Sequence, residues 1–204
     1  MLTQGAPVPR VGLTSADVVA AGAALADEAG MSAVTLASLA ERLGVKPPAL
    51  YKHVDGLADL QHRIAALAMS ELGEALRDAL QGRAGAAALA AMLGAVRAYV
   101  AGHPGRYSAT VGAQFHGPDD PLLVAGTRVI NSIGAVVSGY GIDPGDTDHA
   151  IRAMRCLIHG WAMLQAANGF QWGNDPEESF AWMMKFADAG LRGMSAGGEK
   201  GQQR

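Results

Sequence analysis

Thr35 to Leu60 reads TLASLAERLGVKPPALYKHVDGLADL, and its spacing describes two short helices folded against each other across one glycine. Thr35 offers a hydroxyl to cap the free amides of a first turn, and Leu36, Leu39, Ala40 and Leu43 recur at helical spacing. Gly44 supplies the left-handed residue that ends the helix, and Val45 fills the corner. Pro47 and Pro48 then open a second helix, since a first turn needs no amide hydrogens from them. It continues through Ala49, Leu50, Tyr51, Lys52 and His53. Ala40 is small enough to let the two helices cross closely. This is the arithmetic of a helix-turn-helix, whose second helix can enter a major groove. Upstream, Thr14-Ser15-Ala16-Asp17 forms a capping-box pattern ahead of Val18, Val19, Ala21, Ala24 and Leu25, and Gly30 closes that helix. Three helices in about 55 residues have little core of their own, so the head should lean on the helices C-terminal to it.

The candidate DNA contacts are Thr35, Lys46, Pro47, Ala49, Tyr51, Lys52 and His53. Lys46 suits a guanine edge or a phosphate, Ala49 a thymine methyl, and Tyr51 and Lys52 a phosphate; Leu50 is core. His53 reads equally as a contact or as a cap on the helix end. The paired prolines remove two amides, favouring recognition by DNA shape. Residues 1–63 hold five basic side chains against six acidic ones, a net of −1, whereas DNA-binding heads are more often basic. The acids lie largely in the first helix, while Lys46 and Lys52 bracket the second helix of the motif and Arg10 sits on an arm that can reach phosphate.

The residues Thr35, Leu39, Ala40, Leu43, Gly44, Val45, Leu50, Tyr51, His53 and Val54 together resemble the DNA-binding domain of the tetracycline-repressor (TetR) family of transcriptional regulators. The resemblance is dense over the first quarter of the chain, and Leu-Tyr-x-His at this offset from Gly-Val is its most specific part. It implies that Tyr51 and His53 lie at the protein–DNA boundary. Members usually carry a phosphate-binding lysine where this chain has Leu57, which shifts weight to Lys46, Lys52, Tyr51 and the helix-end amides.

Half of the 204 residues are hydrophobic, alanine and glycine abound, and the net charge is −3, a profile that favours an all-α protein of closely packed helices. The expected architecture is a three-helix head and a C-terminal helical bundle, about nine helices in all, forming a homodimer. Its domains are 10–56 for DNA binding and 57–194 for ligand binding and dimerisation, with disordered tails at 1–9 and 195–204. A long helix over 57–80 links head to body, followed by helices over 84–102, 104–113, 122–139, 146–168 and 175–192. The lack of an apolar run of spanning length, and of a charged then hydrophobic N-terminus, predicts a cytoplasmic protein with no membrane contact. The single cysteine, Cys156, excludes an internal disulfide framework and is expected to be a buried thiol.

Arg155-x-x-x-His159-Gly160-x-x-x-Leu164, Asn168-Gly169-Phe170 and Asp175-Pro176-x-x-Ser179-Phe180 resemble the C-terminal domain of a TetR subgroup built around a Trp-His-Gly-type motif, here partial because Ile158 stands at its first position. Gly160 permits close helix approach, and the flanking apolar stripes exceed what one subunit covers. The resemblance implies a four-helix bundle between two subunits, with Cys156, His159, Gly160, Met163, Phe180, Met183, Met184 and Ala187 as candidate interface residues. A two-fold dimer also suits the head, because paired recognition helices about 34–36 Å apart read a palindrome. The intervening helices enclose a small-molecule pocket in the family, for which Met92, Tyr99, His103, Tyr107, Gln114 and Phe115 are the candidates.

No nucleophile elbow, phosphate loop or paired-carboxylate motif occurs, and Cys156 with His159 lacks the further ligands a metal needs, so no catalytic residue, metal or cofactor is expected. Two readings result. The leading one is a dimeric regulator, a repressor that binds a palindromic double-stranded operator and is released by a small molecule. The other is a helical ligand-binding or enzymatic bundle whose helix-turn-helix no longer binds DNA.

Overall fold

The structure is a computed structural model that describes residues 12–173 and 175–198; the expectations for 1–9, Arg10 and 199–204 lie outside them. The described residues are all-α, with no strand. In chain order they form α1 (Ser15–Ala29), a 3-10 turn (Met31–Ala33), α2 (Leu36–Leu43), a second 3-10 turn (Pro47–Lys52), α3 (Leu57–Leu80), α4 (Gly85–Gly102), α5 (Pro104–Ser108), α6 (Pro121–Ser138), α7 (Thr147–Ala166) and α8 (Pro176–Gly198).

Two apolar clusters divide the interior. The first holds Val18, Ala23 and Ala26 of α1, Leu39 and Ala40 of α2, and Val34, Leu50 and Val54, and it is completed by Leu60 and Ile64 of α3. The second begins one turn later on the same helix, at Ala68, Leu72 and Leu76, and gathers Leu89, Met92, Leu93, Ile133, Val137, Ile158 and Phe180 from the body. Leu60, Ile64, Ala68, Leu72 and Leu76 stand four residues apart, so a single face of α3 serves both cores. Burying Leu60 and Ile64 contributes roughly 1.5–3 kcal/mol each to a head too small to stabilise itself. The linking helix therefore belongs to both cores.

The caps match the sequence pattern. Thr14 Oγ1 accepts from the Asp17 amide at 3.1 Å while the Asp17 carboxylate accepts from the Thr14 amide at 2.9 Å, closing the box ahead of α1. Thr35 and Ser38 make the same reciprocal pair at 3.0 Å for α2. Gly44 adopts φ 65°, ψ 29°, the left-handed stop the turn requires.

Several expectations are corrected. The second element of the motif is a six-residue 3-10 turn, not an α-helix: its bonds run Ala49 N to Lys46 O and His53 N to Leu50 O, three residues apart, and two prolines leave its first turn without amides. α5 stops at Ser108 rather than near 113, because turns succeed it and Gly112 takes a positive φ of 75°. α8 runs on to Gly198, beyond the expected end near 192 and into the stretch expected to be disordered from 195. α4 and α6 are, by length and composition, apolar enough to cross a bilayer, each 18 residues with mean hydropathy 1.4, against the expectation that no such run exists; both pack as core helices through Leu89, Leu93, Ile133 and Val137. Cys156 is exposed, because the buried face of α7 is carried by Ile151, Met154, Ile158 and Ala162.

Candidate nucleic-acid interface and its coupling to the body

The turn Pro47–Lys52 is pinned from beneath and free above. Leu50 and Val54 are almost fully buried, whereas Lys46, Pro47, Tyr51 and Lys52 are exposed, Tyr51 to 61%. Tyr51 stands in the chain between Lys46 and Lys52, all three exposed. Ala49 and His53 are half-buried, and Thr35 is exposed at the start of α2 beside its own capping bonds.

The far end of the turn is clamped to α3. Arg63 donates to the His53 carbonyl at 3.2 Å and to Asp59 at 2.9 Å, and Asp59 accepts the Asp55 amide at 2.8 Å. Partial burial pushes the Asp59 carboxyl up, but the Arg63 and Asp55 donors outweigh it and hold the group below the usual range. Arg42 and Glu28 join α2 to α1 through two bonds of 2.6 and 2.7 Å. Arg42 and Arg63 are thus both paired with carboxylates, whereas Lys46 and Lys52, at either end of the turn, are exposed. Leu57, at the first position of α3, is 36% exposed, and no side chain caps that helix start at Gly56.

A second polar cluster, not anticipated from the sequence, locks the head to the body. Arg106 of α5 donates to Asp27 of α1 through its amide at 2.8 Å and its Nε at 2.7 Å, and to Glu71 of α3 through Nη1 at 3.0 Å. Tyr99 of α4 donates to Glu71 at 2.8 Å, and His103 lies 3.2 Å from Asp27. Burial and the neighbouring Glu71 carboxylate both push the Tyr99 phenol up, so it stays a donor. Gly105 makes this approach possible: a Cβ there would lie 1.8 Å from the Ala26 carbonyl oxygen. Asp27 and Arg106 are 79 residues apart, a separation over which sequence spacing carries no signal.

The six pocket candidates do not line one cavity. Met92, Tyr99 and Tyr107 are buried in the body core, His103 belongs to the polar junction, Gln114 lines an open cleft of about 470 Å³ between α3 and the loop after α5, and Phe115 is 56% exposed. The Tyr107 hydroxyl meets His159 Nδ1 at 3.0 Å, tying α5 to α7.

The interface candidates also separate. Phe180, Met183 and Ala187 point into the chain's own core, a correction to their placement on a shared face, and Met163 and Met184 are half-buried against it. The outer stripe of α8 is formed instead by Trp182 and Phe186, 66% and 57% exposed with rings stacked at 5.5 Å, and by Met194. On α7 Cys156 and Leu164 are exposed, and Gly160 has open space around its missing Cβ. Trp182 and Phe186 immediately precede Met183 and Ala187, so the apolar stripe is legible in the sequence while the side of it that turns inward is not.

Residues 18–56 match the family described as bacterial regulatory proteins, tetR family, and residues 89–187 match the tetracyclin repressor-like C-terminal domain. The HTH-type transcriptional regulator YobS of Bacillus subtilis (strain 168) is 29% identical over 188 residues, covering 90% of this chain and 95% of that protein. The HTH-type transcriptional regulator Rv0681 of Mycobacterium tuberculosis (strain ATCC 25618 / H37Rv) is 34% identical over 154 residues, covering 75% of this chain and 70% of its own length. The crystal structure of BioQ with its double-stranded DNA operator shares the fold, with a TM-score of 0.65 at 21% identity over 89% of this chain and 99% of that one. With its helix-turn-helix head carried on a shared linking helix, the chain belongs to the TetR family and is a transcriptional regulator with an N-terminal DNA-binding domain.

Proposed function

We propose that the protein is a homodimeric, ligand-responsive repressor that acts in the cytoplasm, binding a palindromic double-stranded operator through the turn Pro47–Lys52 of each subunit and leaving it when a small molecule binds the body. The observation that carries this reading is the exposed row Lys46, Tyr51 and Lys52 on a turn anchored by buried Leu50 and Val54. Lys46 and Lys52 contact phosphates or a guanine edge, Tyr51 a phosphate, Thr35 the backbone at the start of α2, and Pro47 and Ala49 the groove wall, with His53 at its margin.

Dimerisation is assigned to the outer faces of α7 and α8, where Trp182, Phe186 and Met194 of α8 and Leu164 and Cys156 of α7 are exposed and a Cβ at Gly160 would meet nothing within 4 Å. Release depends on α3. It carries Leu60 and Ile64 in the head core, Leu72 and Leu76 in the body core, and Glu71 in the Arg106 junction. An effector that binds one arrangement of the body better than another shifts α3, and with it the separation of the two turns. The effector is assigned to the body that these helices form.

A gel shift with DNA flanking the protein's own gene tests the reading. The wild-type chain should shift a fragment at low salt, and Tyr51→Ala with Lys52→Ala together should abolish the shift while leaving the helical circular dichroism unchanged. No shift of any flanking fragment by wild-type protein favours a ligand-binding bundle without DNA recognition.

A further inference from the structure

His62 of α3 and His116 and Asp120 of the loop before α6 place one ligand atom each within 4.8 Å of one another. His62 Nε2 lies 2.9 Å from Asp120 Oδ1, and the His62 and His116 rings stack in near-parallel planes, centroids 4.3 Å apart and 14° between them. The carboxylate is nearly buried and oriented from behind: the Leu122 amide donates to Oδ1 at 2.8 Å and the His116 amide to Oδ2 at 2.7 Å. Burial raises its pKa, but those amides and His62 outweigh it, and the group is lowered to about 2. His62 and His116 line the clefts on both sides, the 470 Å³ cleft toward Gln114 and another of about 690 Å³ that also includes Asp59, Arg63 and Asp120. Three neighbouring ligand atoms, backbone amides that hold the carboxylate and an open approach are the parts of a metal site with a free coordination position.

The geometry points to a binding site for one borderline divalent cation of the Zn²⁺ type, held by His62, His116 and Asp120. Two imidazole nitrogens and one carboxylate oxygen suit Zn²⁺, Co²⁺ or Ni²⁺, whereas Ca²⁺ and Mg²⁺ require sets dominated by oxygen. Metal–ligand bonds of about 2.0–2.1 Å need the three atoms drawn closer and the His116 ring turned out of its stack on His62 so that both ring planes meet at the cation, a rotation open to an exposed side chain. The cation takes the place His62 Nε2 now gives to Asp120, with the neutral ring binding as its Nδ1–H tautomer, and water or an external ligand completes the sphere from the cleft. Arg63, the cation that shares this cleft, is already paired with Asp59, so its charge is partly offset there. Occupancy joins the second turn of α3, next to the DNA-binding turn, to the loop that begins α6. Metal binding at these residues is independent of the repressor reading, and either can fail alone.

The test is competition for Zn²⁺ between the metal-stripped full-length protein and a chromogenic chelator, with Co²⁺ absorption as a second readout, carried out in a Cys156→Ser background to remove the exposed thiol. One equivalent of Zn²⁺ should bind, Co²⁺ should give ligand-field bands, and His116→Ala and Asp120→Asn should each weaken binding at least tenfold. Asp120→Asn keeps an acceptor for the Leu122 amide that caps α6 while giving up the one for the His116 amide in the loop, and His116→Ala removes only an exposed side chain, so the helical circular dichroism should be unchanged in both. Absence of stoichiometric Zn²⁺ binding, or tight binding that survives either substitution in a folded chain, overturns the assignment.

Discussion

Gly105→Ala should break the contact between head and body. The added Cβ would stand 1.8 Å from the Ala26 oxygen, 2.1 Å from its carbonyl carbon and 2.5 Å from the Asp27 nitrogen, all backbone atoms that no rotamer change can move. Real Cβ contacts stay above 3.0 Å, so α5 must withdraw from α1 by at least the 1.2 Å difference. The same withdrawal stretches the Arg106 bonds to Asp27, now 2.7 and 2.8 Å, to roughly 4 Å, beyond hydrogen bonding. Two bonds to a charged group contribute about 1.5–3 kcal/mol each, but they share one carboxylate and Glu71 still holds the guanidinium, so the combined loss is set at about 3 kcal/mol. At roughly 2–4 °C per kcal/mol for a chain of this size, the melting temperature should fall by about 6–12 °C. Thermal unfolding followed by circular dichroism measures it. Gly94→Ala in α4 is the control, since its Cβ would meet nothing within 4 Å, and it should leave stability unchanged or raise it by about 0.5–1 kcal/mol. A Gly105→Ala protein melting within about 2 °C of wild type would refute the close-packed junction.

Two other parts of the molecule give outcomes of their own. Trp182→Glu places a charge on the outer stripe of α8 and should convert a dimer to a monomer in sedimentation velocity without loss of helix content; a dimer that persists moves the interface elsewhere. Asp188 is held below the ordinary aspartate range by Arg192, then by the Tyr140 hydroxyl at 2.6 Å, so its contribution to stability is fully present above about pH 4 and is lost as pH falls through the lowered value. Asp188→Asn should therefore melt lower than wild type at neutral pH, with the gap closing in acid, and a gap that stays constant with pH contradicts the pairing.

How much of this was legible depended on sequence distance. The span Leu57–Leu80 of α3 is plain in the sequence, because Gly56 and Gln81-Gly82 stop the helix at both ends and a four-residue apolar stripe fills it. The caps at Thr14 and Thr35 are equally local. The conversion of the second motif helix to a 3-10 turn was not visible, since paired prolines are compatible with either. Neither was the Arg106 junction nor the His62–Asp120 pair, whose partners lie 79 and 58 residues apart. The apolar face of α8 is recognisable, but its inward side is not, because Met183 and Ala187 are as apolar as Trp182 and Phe186, and only packing decides which set turns inward. The pocket candidates dispersed for the same reason: their polarity was legible, their convergence was not.

If the turn Pro47–Lys52 holds the DNA backbone, operator affinity must depend on salt through its lysines. Each phosphate contact contributes about 0.9 to the slope of log affinity against log salt, so Lys52→Ala, acting in both subunits, should make that slope shallower by about 2. An unchanged slope in the folded variant would mean that Lys52 does not touch phosphate, and that the exposed row beside Tyr51 is not the DNA-binding surface.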